Sequence, residues 1–252
     1  MYDSYFRKHL IRKDTRDFTK NLKEQLMADG IVTLDKIQDV GEFISIANSL
    51  GDIVPHRDSE ENGLTKIIDK HSAEKGYLGF SNQRLRLHTD GSGMKNPTPV
   101  IMIYCEKPSI SGGDSILVDG KKVYEELKAT LPDFLKEIET DGSCIFMDGN
   151  KPRLSSIFSS VSKGYRRMRF RYDNLGFYSA TTIPFMHASM EYLEALSFSI
   201  KLKKGQGYII QNGRYLHGRS AFVGDRVFYR ALIDPSEEDN IFRKVMFNGF
   251  TV

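Results

Sequence analysis

Residues 85–93 read LRLHTDGSG, and residues 202–233 read LKKGQGYIIQNGRYLHGRSAFVGDRVFYRALI. The first stretch alternates apolar and polar residues and ends on His88 and Asp90. Side chains two apart on a strand point to the same side, so this imidazole and carboxylate can reach one metal ion. Gly91 and Gly93 follow and let the chain turn sharply just past them.

A third ligand must come from elsewhere, and His217 in the second stretch is the candidate. It follows an expected strand and sits beside Gly218, where a bulky side chain is expected to crowd the metal. Two imidazoles and one carboxylate on one side of a metal leave three positions open. That set suits iron(II) that must also bind a cosubstrate and O₂. His9, His56, His71 and His187 lie in contexts with no partner pattern and are read as structural.

Nine residues after His217 comes Arg226, and four further on Arg230, both expected on one strand face with Phe228 between them. Aligned guanidiniums on a core-facing strand need anionic partners, because unpaired buried charge is costly. The planar fork of arginine matches a carboxylate. In SGGDSILVDG, Gly112 and Gly113 suggest a tight turn into a strand, and Ser115 offers a hydroxyl that can support a bound carboxylate.

Working outward, the same alternation recurs. Expected strands are Leu85–His88, Pro99–Cys105, Asp114–Asp119, Ser143–Met147, Arg167–Tyr172, Gly205–Ile210 and Arg226–Ile233. Many short strands separated by turn residues point to a mainly β fold of sandwich, barrel or jelly-roll type, with helices packed outside. Before them, Phe18, Leu22 and Leu26 predict a helix over Thr15–Ala28 with Asp14 as N-cap and Gly30 closing it. A strand at Ile31–Leu34 and a helix over Val40–Leu50 follow. Further helices are expected at Lys121–Thr130, Asp133–Thr140 and Ser189–Leu196. Residues 55–84 are polar and weakly patterned, as lids and binding loops often are. No linker divides residues 1–252, which are read as a single domain.

The chain has 252 residues and a formal net charge of +3. So small a charge implies no nucleic-acid or membrane partner for the chain as a whole. Two cysteines, Cys105 and Cys144, are too few for a disulfide framework or a thiolate zinc site. No run approaches membrane-spanning length, and a cytoplasmic, reduced protein is expected. In KGYRRMRFRYDN, Arg167, Arg169 and Arg171 share one face of an expected strand and read as a solvated or ion-paired basic face. Asp173 at its end is placed to receive a substrate amine.

HTD, then GGDS, then LHGRSAF with R-x-x-x-R together resemble the taurine dioxygenase and clavaminate synthase-like family of iron(II)/2-oxoglutarate oxygenases. The segments carrying this are about 85–120 and 202–233. The resemblance implies a double-stranded β-helix, or jelly-roll, core. It implies that His88, Asp90 and His217 bind iron. It implies that Arg226, helped by Ser115, holds the far carboxylate of 2-oxoglutarate; the family commonly has threonine where this chain has Ser115. Arg230 matches a residue that often meets an anionic group of the primary substrate. With Asp173 for the amine, the pair fits a free amino acid. Halogenating members of the wider class have a small residue where this chain has Asp90, so hydroxylation or desaturation is expected. The alternatives are a non-catalytic jelly-roll protein that keeps a metal-site shape, and a zinc hydrolase, which leaves the arginine pair unexplained.

Overall fold

In the computed structural model, residues 2–70 and 78–252 are described. Two antiparallel-rich sheets build the core, with three smaller sheets beside them among the described residues, and alternation along one strand shows why. In the Val100–Lys107 strand, Val100, Met102 and Tyr104 face the N-terminal helices, while Ile101, Ile103 and Cys105 face the second sheet. A period-two apolar strand buried on both faces must lie between two layers.

The larger sheet runs in the order Leu10–Ile11, Ile31–Leu34, Gly207–Gln211, Val100–Lys107, Val227–Pro235 and Gly51–Ile53, with Thr65–Ile67 also paired to Val227–Pro235. The smaller sheet runs Phe198–Ile200, Ser115–Asp119, Tyr215–Arg219 and Leu85–His88. Sequence-distant strands become neighbours in both, the double-stranded β-helix pattern. Between the sheets lie Ile101, Ile103, Leu117, Tyr208, Ile210 and Phe228.

Helices Phe18–Asp29 and Val40–Asn48 cover the outer face of the larger sheet. Leu22 and Leu26 are fully buried there, each stabilising by roughly 1.5–3 kcal/mol. The outer face of the smaller sheet packs Leu87, Val118 and Leu216 against helices Gly120–Thr130, Pro132–Glu139 and Ile183–Ala195. Cys105 and Cys144 are free and buried, and desolvation pushes both thiols up to about 12.

Several expectations shift. The first long helix begins at Phe18, with Asp17 rather than Asp14 at its N-cap position, and Gly30 closes it in the left-handed region. The Arg167–Tyr172 strand is instead Tyr165–Met168, followed by irregular chain. The expected Ser189–Leu196 helix starts earlier, at Ile183, because Pro184 fits a first helical turn. His217 follows the Gly207–Gln211 strand as expected, and it also lies inside a further strand, Tyr215–Arg219, that was not expected. Helices Tyr2–Lys8 and Asn240–Asn248 and strands Lys151–Ser155 and Phe158–Ser162 have no counterpart in the sequence expectations. No described helix is long and apolar enough to cross a membrane. His71, and residues 71–77 of the expected lid, fall outside the described residues, as does the side chain of His187.

Candidate metal centre and anion pocket

The Leu85–His88 strand pairs with Tyr215–Arg219, and its register sets His88 opposite His217. The two ring centroids lie 4.4 Å apart. Asp90 follows just past the strand end. Thr89, between the two, turns to the core, where its N–H donates to the Phe170 carbonyl at 2.8 Å and its Oγ1 accepts from Phe170 N at 3.1 Å. Asn212 grips the same turn: its Oδ1 accepts from Asp90 N and its Nδ2 donates to the Asp90 and Thr98 carbonyls, each at 2.9 Å. Gly91 continues the turn at φ +65°.

This wiring brings Asp90 Oδ1 to 3.4 Å from His88 Nε2 and 3.7 Å from His217 Nε2. One ligand-type atom from each of His88, Asp90 and His217 lies within 4.8 Å of the others, the one such group found among the described residues. His88 Nδ1 faces the Arg86 carbonyl at 2.8 Å. A proton there leaves Nε2 with a free lone pair towards the cluster, as a metal ligand requires. Burial, then His88, pushes His217 down to about 3, so its imidazole is neutral. Burial alone would raise the Asp90 carboxyl, but Arg230 and the two imidazoles hold it well below the usual carboxylate range.

Gly218 has a second reason beside the one expected. A Cβ there would sit 2.7 Å from the Leu85 carbonyl oxygen, so the glycine serves close strand pairing as well as lining the cavity beside the cluster.

The cluster opens into a cavity of about 710 Å³. Ser115, Tyr208, Arg219, Arg226, Phe228 and Arg230 line it with His88 and His217. Arg226 is 6% exposed, stacks on Phe228 and has no partner for Nε among the described residues. Burial, then the neighbouring Arg219, disfavours its charged form, a cost that a bound carboxylate offsets. Ser115 lies on the strand beside Arg219, in register with it.

Arg230 and Asp173 also line the cavity, but their charges are already met. Arg230 Nη1 donates to Asp90 Oδ2 at 2.8 Å. Asp173 accepts from Arg171 Nε and Nη2 at 2.8 and 2.6 Å. The solvated or ion-paired basic face is corrected in part: Arg171 is ion-paired, with Asp173, but Arg169 is buried. Arg169 is 6% exposed and donates to the carbonyls of Ser92, Met94 and Lys95, where it fixes the loop beyond Asp90. His56, read as structural, lines the cavity, and its Nδ1 accepts from Asp58 N at 3.3 Å.

The model of the family described as taurine catabolism dioxygenase TauD, TfdA family matches residues 9–232. The chain belongs to the TauD/TfdA family. This TauD/TfdA chain is 25% identical to gamma-butyrobetaine dioxygenase of Homo sapiens over 177 residues, covering 62% of this chain and 44% of that protein. It is 27% identical to mitochondrial trimethyllysine dioxygenase of Gallus gallus over 174 residues, covering 60% of this chain and 41% of that one. It thus spans less than half the length of these curated relatives. Among solved structures, an asparagine oxygenase in complex with Fe(II), a hydroxyasparagine and succinate superposes with a TM-score of 0.72 at 11% identity, covering 99% of this chain and 85% of that one. The non-heme iron oxygenase OrfP with Fe and alpha-ketoglutaric acid gives 0.70 at 13% identity, covering 87% and 80%. These likenesses show the jelly-roll fold.

Proposed function

We propose that this chain is an iron(II)- and 2-oxoglutarate-dependent oxygenase that hydroxylates or desaturates an unactivated C–H bond of a small polar substrate of amino-acid type. The observation that carries this is a three-donor cluster in the same cavity as Arg226, a buried guanidinium with no hydrogen-bond or ion-pair partner among the described residues. Two imidazoles and a carboxylate with open positions suit non-haem iron(II). A zinc hydrolase would leave Arg226 unexplained. The relatives support the substrate class, since their names concern asparagine, trimethyllysine and gamma-butyrobetaine.

On this reading His88 Nε2, Asp90 Oδ1 and His217 Nε2 hold the iron. Ser115 and Arg226 hold the far carboxylate of 2-oxoglutarate, a charge-assisted contact of about 1.5–3 kcal/mol. Bound iron and 2-oxoglutarate, with O₂, supply the oxidising power, and succinate and CO₂ are released as the substrate is oxidised. The chain itself moves no proton in that step. Its task is to hold one C–H bond in place and keep water away. Arg230 and Asp173 orient Asp90 and Arg171 in this scheme, rather than making first contact with a substrate. The described parts of segment 55–84 serve as a lid; His56, Thr65 and Phe80 line the cavity. Residues 1–252 then act as a single oxygenase domain. Two unpaired cysteines favour a reducing, cytoplasmic compartment.

The test is a substrate screen under air that follows succinate and the mass of each candidate. The reading expects succinate together with a product heavier by one oxygen or lighter by two hydrogens. Absence of any iron-dependent succinate from 2-oxoglutarate would favour the non-catalytic alternative.

A further inference from the structure

The charge balance of the cavity points to a second anion site. Its lining carries five guanidiniums, Arg86, Arg171, Arg219, Arg226 and Arg230, against two carboxylates, Asp58 and Asp173. Most of these cations are accounted for. Arg171 is held by Asp173 through both oxygens, and Arg230 is held by Asp90. Arg219 donates to the carbonyls of Leu78, Gly79, Ser81 and Gln83. Arg226, buried, lines the same cavity as Ser115, and the proposed function assigns both to the cosubstrate carboxylate.

Arg86 remains. Its Nη1 touches only the Tyr172 carbonyl, at 3.3 Å, and its guanidinium lies over the Tyr172 ring at 5.8 Å. Among the described residues it meets no carboxylate. Its position is fixed by the strand. Leu87 is buried against the helical layer, so Arg86 and His88, one on each side of it, both face the cavity. Two residues along a strand span roughly 7 Å. Arg86 therefore stands about one small-molecule length from the metal cluster, lining the cavity with an exposed side chain.

We propose that Arg86 is a specificity-determining residue that receives a carboxylate of the primary substrate. The inference rests on the oxygenase reading and names the anion partner that Arg230, turned to Asp90, does not provide. An iron(II) ion and a dianionic cosubstrate bring charges that cancel, so loading the site leaves the cationic excess at Arg86 in place. A cavity wall of this kind selects acids over neutral molecules of the same shape.

The experiment uses the full chain loaded anaerobically with Fe(II) and 2-oxoglutarate. Calorimetry measures the binding of short straight-chain amino acids, each paired with its methyl ester. Acids are expected to bind about tenfold or more tightly than their esters, the scale of one charge-assisted contact. Arg86→Gln is expected to abolish that preference by weakening the acid alone, with 2-oxoglutarate affinity unchanged. Esters binding as well as acids, an undiminished preference in Arg86→Gln, or no acid binding at all would each overturn the proposal. Failure of 2-oxoglutarate to bind the wild-type protein would instead overturn the oxygenase reading beneath it.

Discussion

Arg230 Nη1 donates to Asp90 Oδ2 at 2.8 Å, while Oδ1 of the same carboxylate faces both His88 and His217. One guanidinium thus fixes which oxygen the carboxylate turns to the cluster. The strand Val227–Pro235 holds Arg230 in place, and Asn212 holds the Asp90 backbone. The orientation of Asp90 is set from both sides before any metal arrives.

Arg230→Gln is expected to weaken metal affinity by roughly 10–100-fold, the usual effect of losing a group that orients a ligand. Anaerobic titration with Fe(II) measures it. An unchanged affinity would show that Asp90 needs no such support.

Arg226→Ala is expected to raise the 2-oxoglutarate requirement about tenfold or more, because the cosubstrate loses its charge-assisted partner. Metal affinity should stay within about twofold, since Arg226 touches none of the three ligands. Saturation curves for 2-oxoglutarate and a metal titration separate the two effects. Unchanged saturation would remove Arg226 from the pocket.

Arg219→Ala is expected to loosen residues 78–83 without unfolding the sheets. Four carbonyls of that segment lose their donor at once. Hydrogen exchange should accelerate there about tenfold or more, while the strands stay protected. Uniform acceleration across the chain would indicate a global role instead.

The strands that build the centre were legible in the sequence because their alternation is regular. Leu85–His88 matches its expected bounds, and the Val100–Lys107 and Gly207–Gln211 strands lie within two residues of theirs. Tyr215–Arg219 was hidden by Asn212-Gly213 before it and Gly218 within it, which read as turn signals. Arginine-rich chain reads as solvated by composition, so the burial of Arg169 on backbone carbonyls could not be seen. Asn212 carried no pattern of its own; only the fold brings it to Asp90. The pairings of Arg230 and Asp173 depend on side-chain directions across distant segments, which spacing along one strand cannot supply.

Asp119→Ala is expected to destabilise the fold by about 3–5 kcal/mol, as breaking one side of a buried ion pair does. Its two oxygens accept from Arg214 Nε and Nη2 at 2.9 Å, and one also accepts from Lys121 N at the start of a helix. Urea unfolding measures the loss. A change below about 1 kcal/mol would mean that water replaces the carboxylate there.

Anaerobic binding of Fe(II) to the wild-type chain and to His88→Ala and His217→Ala tests the central claim most directly. One ferrous ion per wild-type chain, with binding lost in both variants, is the predicted result. Undiminished binding in either variant, or none in the wild type, would contradict it.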